Sequence, residues 1–518
     1  MEKRNGFTSG IGFVLAAAGG SVGLGNLWSF PYKTSQNGGA AFVFVYIISV
    51  IILGSILMIA EMYIGKRASA NPVSAYKKIN KNLGWVGLLG IVVSIFISFY
   101  YIVLGGYTLK YTVNSFFDNS NLLQTFPGNI WEVILFSGIF LLLALIIISF
   151  GIKNGIEKAS KILMPILLLI LIGIVIYCLC LGNGVEAGLN YYLNPNFEEL
   201  GFRGILAAMS QAFFSLSVGV GALLAYGSYA GKEIKLGMSA LWIAFFDTFV
   251  ALLAGLAIFP AIYHYQAETG IELQNNGIVL MFSSLPIVFE TLGVVGKIVS
   301  FFFFGMVSIA AITSIISMME VASQFIIQFF KIKRRKACII VGIILFIISI
   351  PIGISLGFSL TGKEGLKIID RNLLEVLDLS VTSLYIPICA LFASLSIGWL
   401  LFRKEDKKLD FNFKNLYNEL ENDGLNLGKF GKIFSFMIKY FIPLLIFFVE
   451  IIGIIDIIFP QIDGSRSFSL SGLIVEIFAI TVLAIIIILY FVFLKNRDTG
   501  NNEDEIKSET STDNLSEV

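Results

Sequence analysis

The sequence predicts an all-α integral membrane protein of twelve transmembrane helices, arranged as a 5+5 inverted repeat with broken helices 1 and 6. Three observations predict it. The 518 residues are 57% hydrophobic and only 14% charged, with a mean hydropathy of +0.86, far from a soluble average of about 25% charged. Apolar runs of 18 or more residues, each long enough to span a bilayer, recur along the whole chain. The pentapeptide Ser21-Val22-Gly23-Leu24-Gly25 returns as Ser217-Val218-Gly219-Val220-Gly221, each copy inside such a run.

In chain order the twelve segments lie at about 8–34, 40–65, 84–116, 130–150, 158–181, 204–229, 238–264, 293–330, 337–360, 372–402, 432–459 and 469–494. The third and eighth exceed the thickness of a bilayer and are expected to tilt or protrude. Segments 1–5 and 6–10 form the natural repeat. With five helices per unit the second copy starts on the opposite side, and the two glycine breaks meet near the midplane. Residues 1–402 are thus read as a transport core, 403–431 as a cytoplasmic connector and 432–494 as peripheral helices. The polar stretch 495–518 reads as a disordered cytoplasmic tail.

Lysine and arginine set the orientation. Of the 36, 28 fall at the N-terminus, in the loops that follow even-numbered segments, or in the tail. The positive-inside rule then places both termini in the cytoplasm, in a cell (inner or plasma) membrane. The charged start, Met1–Arg4, leads straight into the first apolar run, so no cleavable signal is expected. A net charge of +1, carried in short loops, gives no nucleic-acid footprint. The four cysteines lie in apolar runs without metal-binding or redox spacing.

Two glycines at i and i+2 each cost about 1 kcal/mol of helix propensity and leave carbonyls unshielded. Small residues also serve close helix packing, but their repetition in both halves favours a broken-helix binding site. A break exposes N–H groups at one half-helix start and carbonyls at the other half's end. The first favour a carboxylate and the second a hard cation. Asn26, Ser215, Ser217, Thr313 and Ser314 add neutral oxygens nearby. Asp247, within Phe245-Phe246-Asp247-Thr248-Phe249, is an intramembrane acid, a functional candidate by default. A bound cation is its natural partner, a protonated or water-exposed carboxyl the alternative. Glu61 lies one turn before Gly65-Lys66-Arg67, so a local ion pair suits it as well as transport does.

Enzymatic readings fail. His264 is the only histidine and no nucleotide-binding P-loop is present. The glycine pairs lack the βαβ context of a dinucleotide site, no organic cofactor is expected, and an ion gradient remains as the energy source.

The stretch Ala18–Trp28 with Phe30-Pro31-Tyr32 and Asn37-Gly38-Gly39 resembles helix 1 of the neurotransmitter:sodium symporters. Gln211–Ser217 is similar to the family's helix 6, Ala310–Ser314 to its helix 8, and Gly155 with Pro165 to a helix-5 pattern for inward opening. The resemblance, to bacterial leucine-transporter-like amino-acid carriers, covers about 4–460. It implies a first sodium held by the Ser21 carbonyl, Asn26, Ser215, Asp247 and the substrate carboxylate. A second sodium would lie between the Gly19, Val22 and Ala310 carbonyls and the Thr313 and Ser314 hydroxyls. Gly20, Ser21, Leu24, Gly25, Ile97, Tyr101, Phe214, Ser217, Val220, Ser314 and Met318 would line the substrate pocket, with Tyr101 on the carboxylate and Phe214 as outer lid. Arg4, Tyr229, Asp378 and Gln211 would serve gating.

Five positions depart from or specialise that pattern. Gly23 replaces the aspartate of monoamine carriers, which favours an amino acid over an amine. Asp247 replaces an asparagine, and its built-in charge removes the need for chloride. Val220 replaces a phenylalanine of the leucine carrier, enlarging the pocket for a hydrophobic or aromatic side chain. Ser29 and Gln328 stand where gate charges are usual, leaving Asp378 unmatched. The expected activity is sodium-coupled import by alternating access. A non-transporting receptor on the same fold is the alternative, supported by the altered gates, and oligomeric state is not read.

Overall fold

Among the described residues, ten helices are long and apolar enough to cross a membrane, and a bent pair, Gly10–Ser21 with Gly25–Gln36 at 51°, makes an eleventh span. The computed structural model describes residues 6–117, 122–273, 277–363, 365–399, 413–424, 430–462 and 465–496. Arg4, most of the connector and the tail beyond 496 lie outside the described residues. The spans follow the expected segments closely. Segment 8 runs Gly293–Phe330 and segment 3 ends its long helix at Asn114. Segment 6 is the exception: it is two helices, Phe197–Ser215 and Ala222–Gly227, separated by non-helical residues 216–221.

Burial orders the spans from centre to edge. Of the most apolar stretch of segments 3 and 8, 78% and 72% of residues are buried, against 22% for segments 11 and 12. Segment 8 packs along segment 3 and touches segments 1 and 5, while segment 11 rests on segment 10. Segments 11 and 12 therefore show most of their apolar surface outward, which lipid tolerates without penalty.

Segment 5 begins at Ile152 rather than 158, and residues 152–157 wind as a π-helical turn. That turn carries Glu157, whose carboxylate is 1% exposed. It accepts from the Thr8 backbone N–H (2.8 Å), the Thr8 hydroxyl (2.6 Å), the Ser9 hydroxyl (3.2 Å) and Lys161 (2.7 Å). An anion at the first turn of segment 1 satisfies helix-end donors and complements the helix dipole.

Two features were not expected. Residues 277–291, between segments 7 and 8, form a short apolar helix, Gly277–Thr291, and the Tyr111 hydroxyl donates to its Phe282 carbonyl at 2.5 Å. The connector contains a helix, Phe413–Asn422, that buries Leu416 and Leu420. Glu419 pairs with Lys66 at 2.8 Å, and Asp423 accepts from the Gly237 N–H at 3.1 Å. This helix thus fastens the ends of segments 2 and 7.

Candidate functional site

The two copies of the glycine pentapeptide break their helices for different physical reasons. In segment 6 the backbone reverses hand: φ is +54° at Ser217 and +80° at both Gly219 and Gly221. Glycine adopts that region without strain, other residues rarely. In segment 1 neither glycine has positive φ. There the need is space. A Cβ on Gly23 would lie 3.0 Å from the Tyr101 hydroxyl and nearer still to that of Ser314, and one on Gly25 would lie 3.2 Å from the Phe214 ring.

Freed backbone groups at bilayer depth need partners, and the structure supplies them. The Gly219 N–H donates to Glu61 at 2.7 Å. The Val220 carbonyl accepts from Ser94 (2.5 Å), Leu216 from Ser21 (3.3 Å), and Gly20 from Ser217 (3.4 Å). The Gly23 N–H goes to the Asn26 side-chain oxygen at 3.0 Å. Glu61 is therefore no local ion pair; it holds the segment 6 break, and its second oxygen is buried without a hydrogen-bond partner.

Asn26, Ser215 and Asp247 converge where the breaks meet segment 7. Asp247 is 0% exposed and accepts from Ser215 at 2.6 Å, Asn26 at 2.9 Å and Tyr46 at 3.4 Å. Ser21 reaches the same junction through the Leu216 carbonyl beside Ser215. Asn26 faces Asp247 with its amide nitrogen, and half a rotation of that amide would present oxygen instead. A buried carboxylate with hydroxyl and amide oxygens around it fits a hard monovalent cation. Tyr46 is the member the sequence reading missed.

A second group of oxygens lies between segments 1 and 8. The Ser314 hydroxyl donates to the carbonyls of Val22 (3.2 Å) and Gly19 (3.5 Å), and that of Thr313 to Ala310 (3.0 Å). Gly19 packs directly on Thr313: a Cβ there would lie 3.3 Å from that of Thr313. Three carbonyls and two hydroxyls, all neutral, suit the same class of cation.

Between these clusters the Tyr101 hydroxyl faces the first break: a Cβ on Gly23, next to Leu24 and Gly25, would lie 3.0 Å from it. A phenol beside free N–H groups at a half-helix start is a cradle for a carboxylate. Phe214 lies against Gly25 on one side of it. Ile97, Val220 and Met318 are buried in the surrounding core.

The gate residues separate into two groups. Gln211 accepts from Ser29 at 3.0 Å and donates to the Gly25 carbonyl at 2.9 Å, which pins the half-helix after the first break. Asp378 accepts from Tyr100 at 3.0 Å. On the face bearing the basic loops, the Tyr229 hydroxyl donates to Glu320 at 2.8 Å, and Arg334 grips both oxygens of that carboxylate. Gln328 instead accepts two bonds from Asn71, at 2.9 and 2.6 Å, and so holds a loop. Glu320 was within reach of the rule that found Asp247, being an acid inside segment 8. Arg334→Ala leaves that carboxylate buried and unpaired, a loss of about 3–5 kcal/mol. The Glu320→Met/Arg334→Met double variant is expected to melt above the single variant in detergent, which thermal unfolding of the three proteins checks.

The model of the sodium:neurotransmitter symporter family matches residues 4–132 and 125–498. YhdH, an uncharacterised sodium-dependent transporter of Bacillus subtilis, is 33% identical over 469 residues, covering 87% of this chain and 98% of YhdH. The Bos taurus sodium-dependent neutral amino acid transporter B(0)AT2 is 29% identical over 301 residues, 50% of this chain and 41% of its own length. Among solved structures, MhsT in complex with L-phenylalanine is similar with a TM-score of 0.77 and 32% identity, covering 87% of this chain and 100% of MhsT.

Proposed function

This chain belongs to the sodium:neurotransmitter symporter family, and on that premise we propose that it imports a hydrophobic or aromatic amino acid, without chloride, together with two sodium ions. Membership makes it a multi-pass membrane protein and a sodium-dependent transporter rather than an enzyme. The observation that carries the finer reading is Asp247. Its fully buried carboxylate joins Asn26 of segment 1 to Ser215 of segment 6, placing a fixed negative charge where a cation would link both breaks. The same charge takes the part that chloride plays when no acid is present.

In this reading the first sodium sits among Ser21, Asn26, Ser215 and Asp247, and the second among Gly19, Val22, Ala310, Thr313 and Ser314. The substrate carboxylate takes the cradle of Tyr101, Leu24 and Gly25. Its side chain lies toward Ile97, Val220 and Met318, with Phe214 above, and Gly20, Ser21, Ser217 and Ser314 complete the wall. That an aromatic ligand fits is supported by Val220 and by the phenylalanine bound to MhsT. Both termini lie in the cytoplasm, so the Tyr229–Glu320–Arg334 group closes the inner side and Asp378 belongs to the outer. Residues 1–402 form the transport core, and segments 11 and 12 stand outside it.

A receptor that lost its cycle is disfavoured, because its support was missing gate charges, and Glu320 with Arg334 supplies an ion pair on the inner side. Two sodium ions entering down a tenfold gradient and 100 mV supply roughly 7 kcal/mol, enough for about 10⁵-fold accumulation. Purified protein in liposomes, offered each of the twenty labelled amino acids, is expected to concentrate aromatic or large aliphatic ones only with an inward sodium gradient, whether or not chloride is present. Equal uptake without sodium, or none across the panel, would overturn the reading.

A further inference from the structure

We propose that Lys33, one turn beyond Ser29, is the outer gate cation of this carrier, closing over Phe214 onto Asp378 once substrate is bound. The inference rests on the transport reading and deepens it. Ser29 carries no charge, and its hydroxyl is spent on Gln211, so the helix position facing the pocket cannot supply a cation. Lys33 lies four residues on, within Phe30–Gln36. Residues i and i+4 share a helix face, and long side chains on a helix lean back toward its N-terminus. The ammonium of Lys33 is therefore carried back toward the level of Ser29.

The surroundings of that ammonium agree. It lies 5.9 Å from the centroid of the Phe214 ring, the ring packed on Gly25 at the carboxylate cradle. Among the described residues no carboxylate is within 4.0 Å of Lys33 in an ion pair. Asp378 is meanwhile held by Tyr100, whose ring adjoins that of Tyr101 at 5.8 Å. A cation above the lid, an anion fixed beside the residue that receives the substrate carboxylate, and a gap between them are the parts of a latch. Substrate that draws Phe214 down brings Lys33 with it, and the two charges meet as the vestibule loses water and their attraction strengthens. Lys33 acts through the lid and Asp378 and is thus a positioning residue.

The test uses full-length protein in liposomes and, as probe, the labelled amino acid that gives the largest sodium-dependent uptake in wild type. Lys33→Met is expected to raise the half-saturating concentration about tenfold or more while leaving sodium-dependent folding signatures in place. Adding Ser29→Arg to Lys33→Met is expected to restore at least half of that loss, and the charge-swapped pair Lys33→Asp/Asp378→Lys to outperform either single change. A merely structural lysine would not be rescued by a cation placed one turn away. Wild-type half-saturation in Lys33→Met, or a loss that neither the added arginine nor the swap recovers, overturns the gate. If Lys33→Met does not fold, Lys33→Gln and the swapped pair decide in the same way. Wild-type protein that takes up no member of the panel overturns the transport reading itself, and the gate with it.

Discussion

Asp247→Ala is expected to abolish sodium-driven uptake. The side chain is fully buried and makes three hydrogen bonds, to Ser215, Asn26 and Tyr46. Its removal takes away the carboxylate that joins Asn26 of segment 1 to Ser215 of segment 6. A cation taken out of water is held only where its charge is matched, so a sodium ion held there is expected to lose affinity by two orders of magnitude or more. The alanine also leaves the Ser215 hydroxyl without its acceptor, at about 1–3 kcal/mol, while the Asn26 amide keeps the Ser215 hydroxyl and the residue 247 carbonyl. Asp247→Asn separates charge from shape, since it keeps the size and the hydrogen-bonding capacity. It is expected to recover part of the stability and to take up substrate only when chloride supplies the missing charge. Sodium at 100 times its dissociation constant stabilises a folded carrier by about 2.7 kcal/mol. That sodium-dependent rise in melting temperature should be present in wild type and reduced in Asp247→Ala. Uptake and sodium stabilisation equal to wild type in the alanine variant would remove Asp247 from the site.

Much of this site was legible because it obeys local rules. An acid inside an apolar run is conspicuous whatever its partners, and a doubled glycine weakens a helix whatever surrounds it. What local rules could not give were partners far apart in sequence. Glu61 reads as the end of a basic patch when only Gly65, Lys66 and Arg67 are in view, yet its carboxylate goes to the Gly219 N–H. Arg334 reads as one of five basic residues in a loop, yet it turns inward to Glu320. The helix Gly277–Thr291 is shorter than the roughly 18 apolar residues that mark a span, so hydropathy does not reveal it. Lys33 falls at the end of segment 1, and only the folded chain places it over Phe214.

The near-identity of the two pentapeptides hides a difference that substitution should expose. Gly219→Ala is expected to be the most damaging change among the glycines of the two pentapeptides. Its φ of +80° costs a residue with a Cβ about 1–2 kcal/mol, and that Cβ would sit 2.6 Å from the Ile386 carbonyl oxygen. Both obstacles are backbone, so no trimming of a neighbour relieves them. The same shift would pull the Gly219 N–H from Glu61 and leave that carboxylate without its donor. Gly25→Ala meets a side chain instead, the Phe214 ring at 3.2 Å, with an overpacking cost of about 1–3 kcal/mol. Phe214→Leu opens that space, so the Gly25→Ala/Phe214→Leu protein should regain much of its melting temperature in detergent even though its lid is altered. No single substitution facing Gly219 is expected to do the same for Gly219→Ala. If Gly219→Ala melts with wild type, or if trimming Phe214 gives nothing back to Gly25→Ala, the two breaks are not the unlike structures that the backbone angles and close contacts describe.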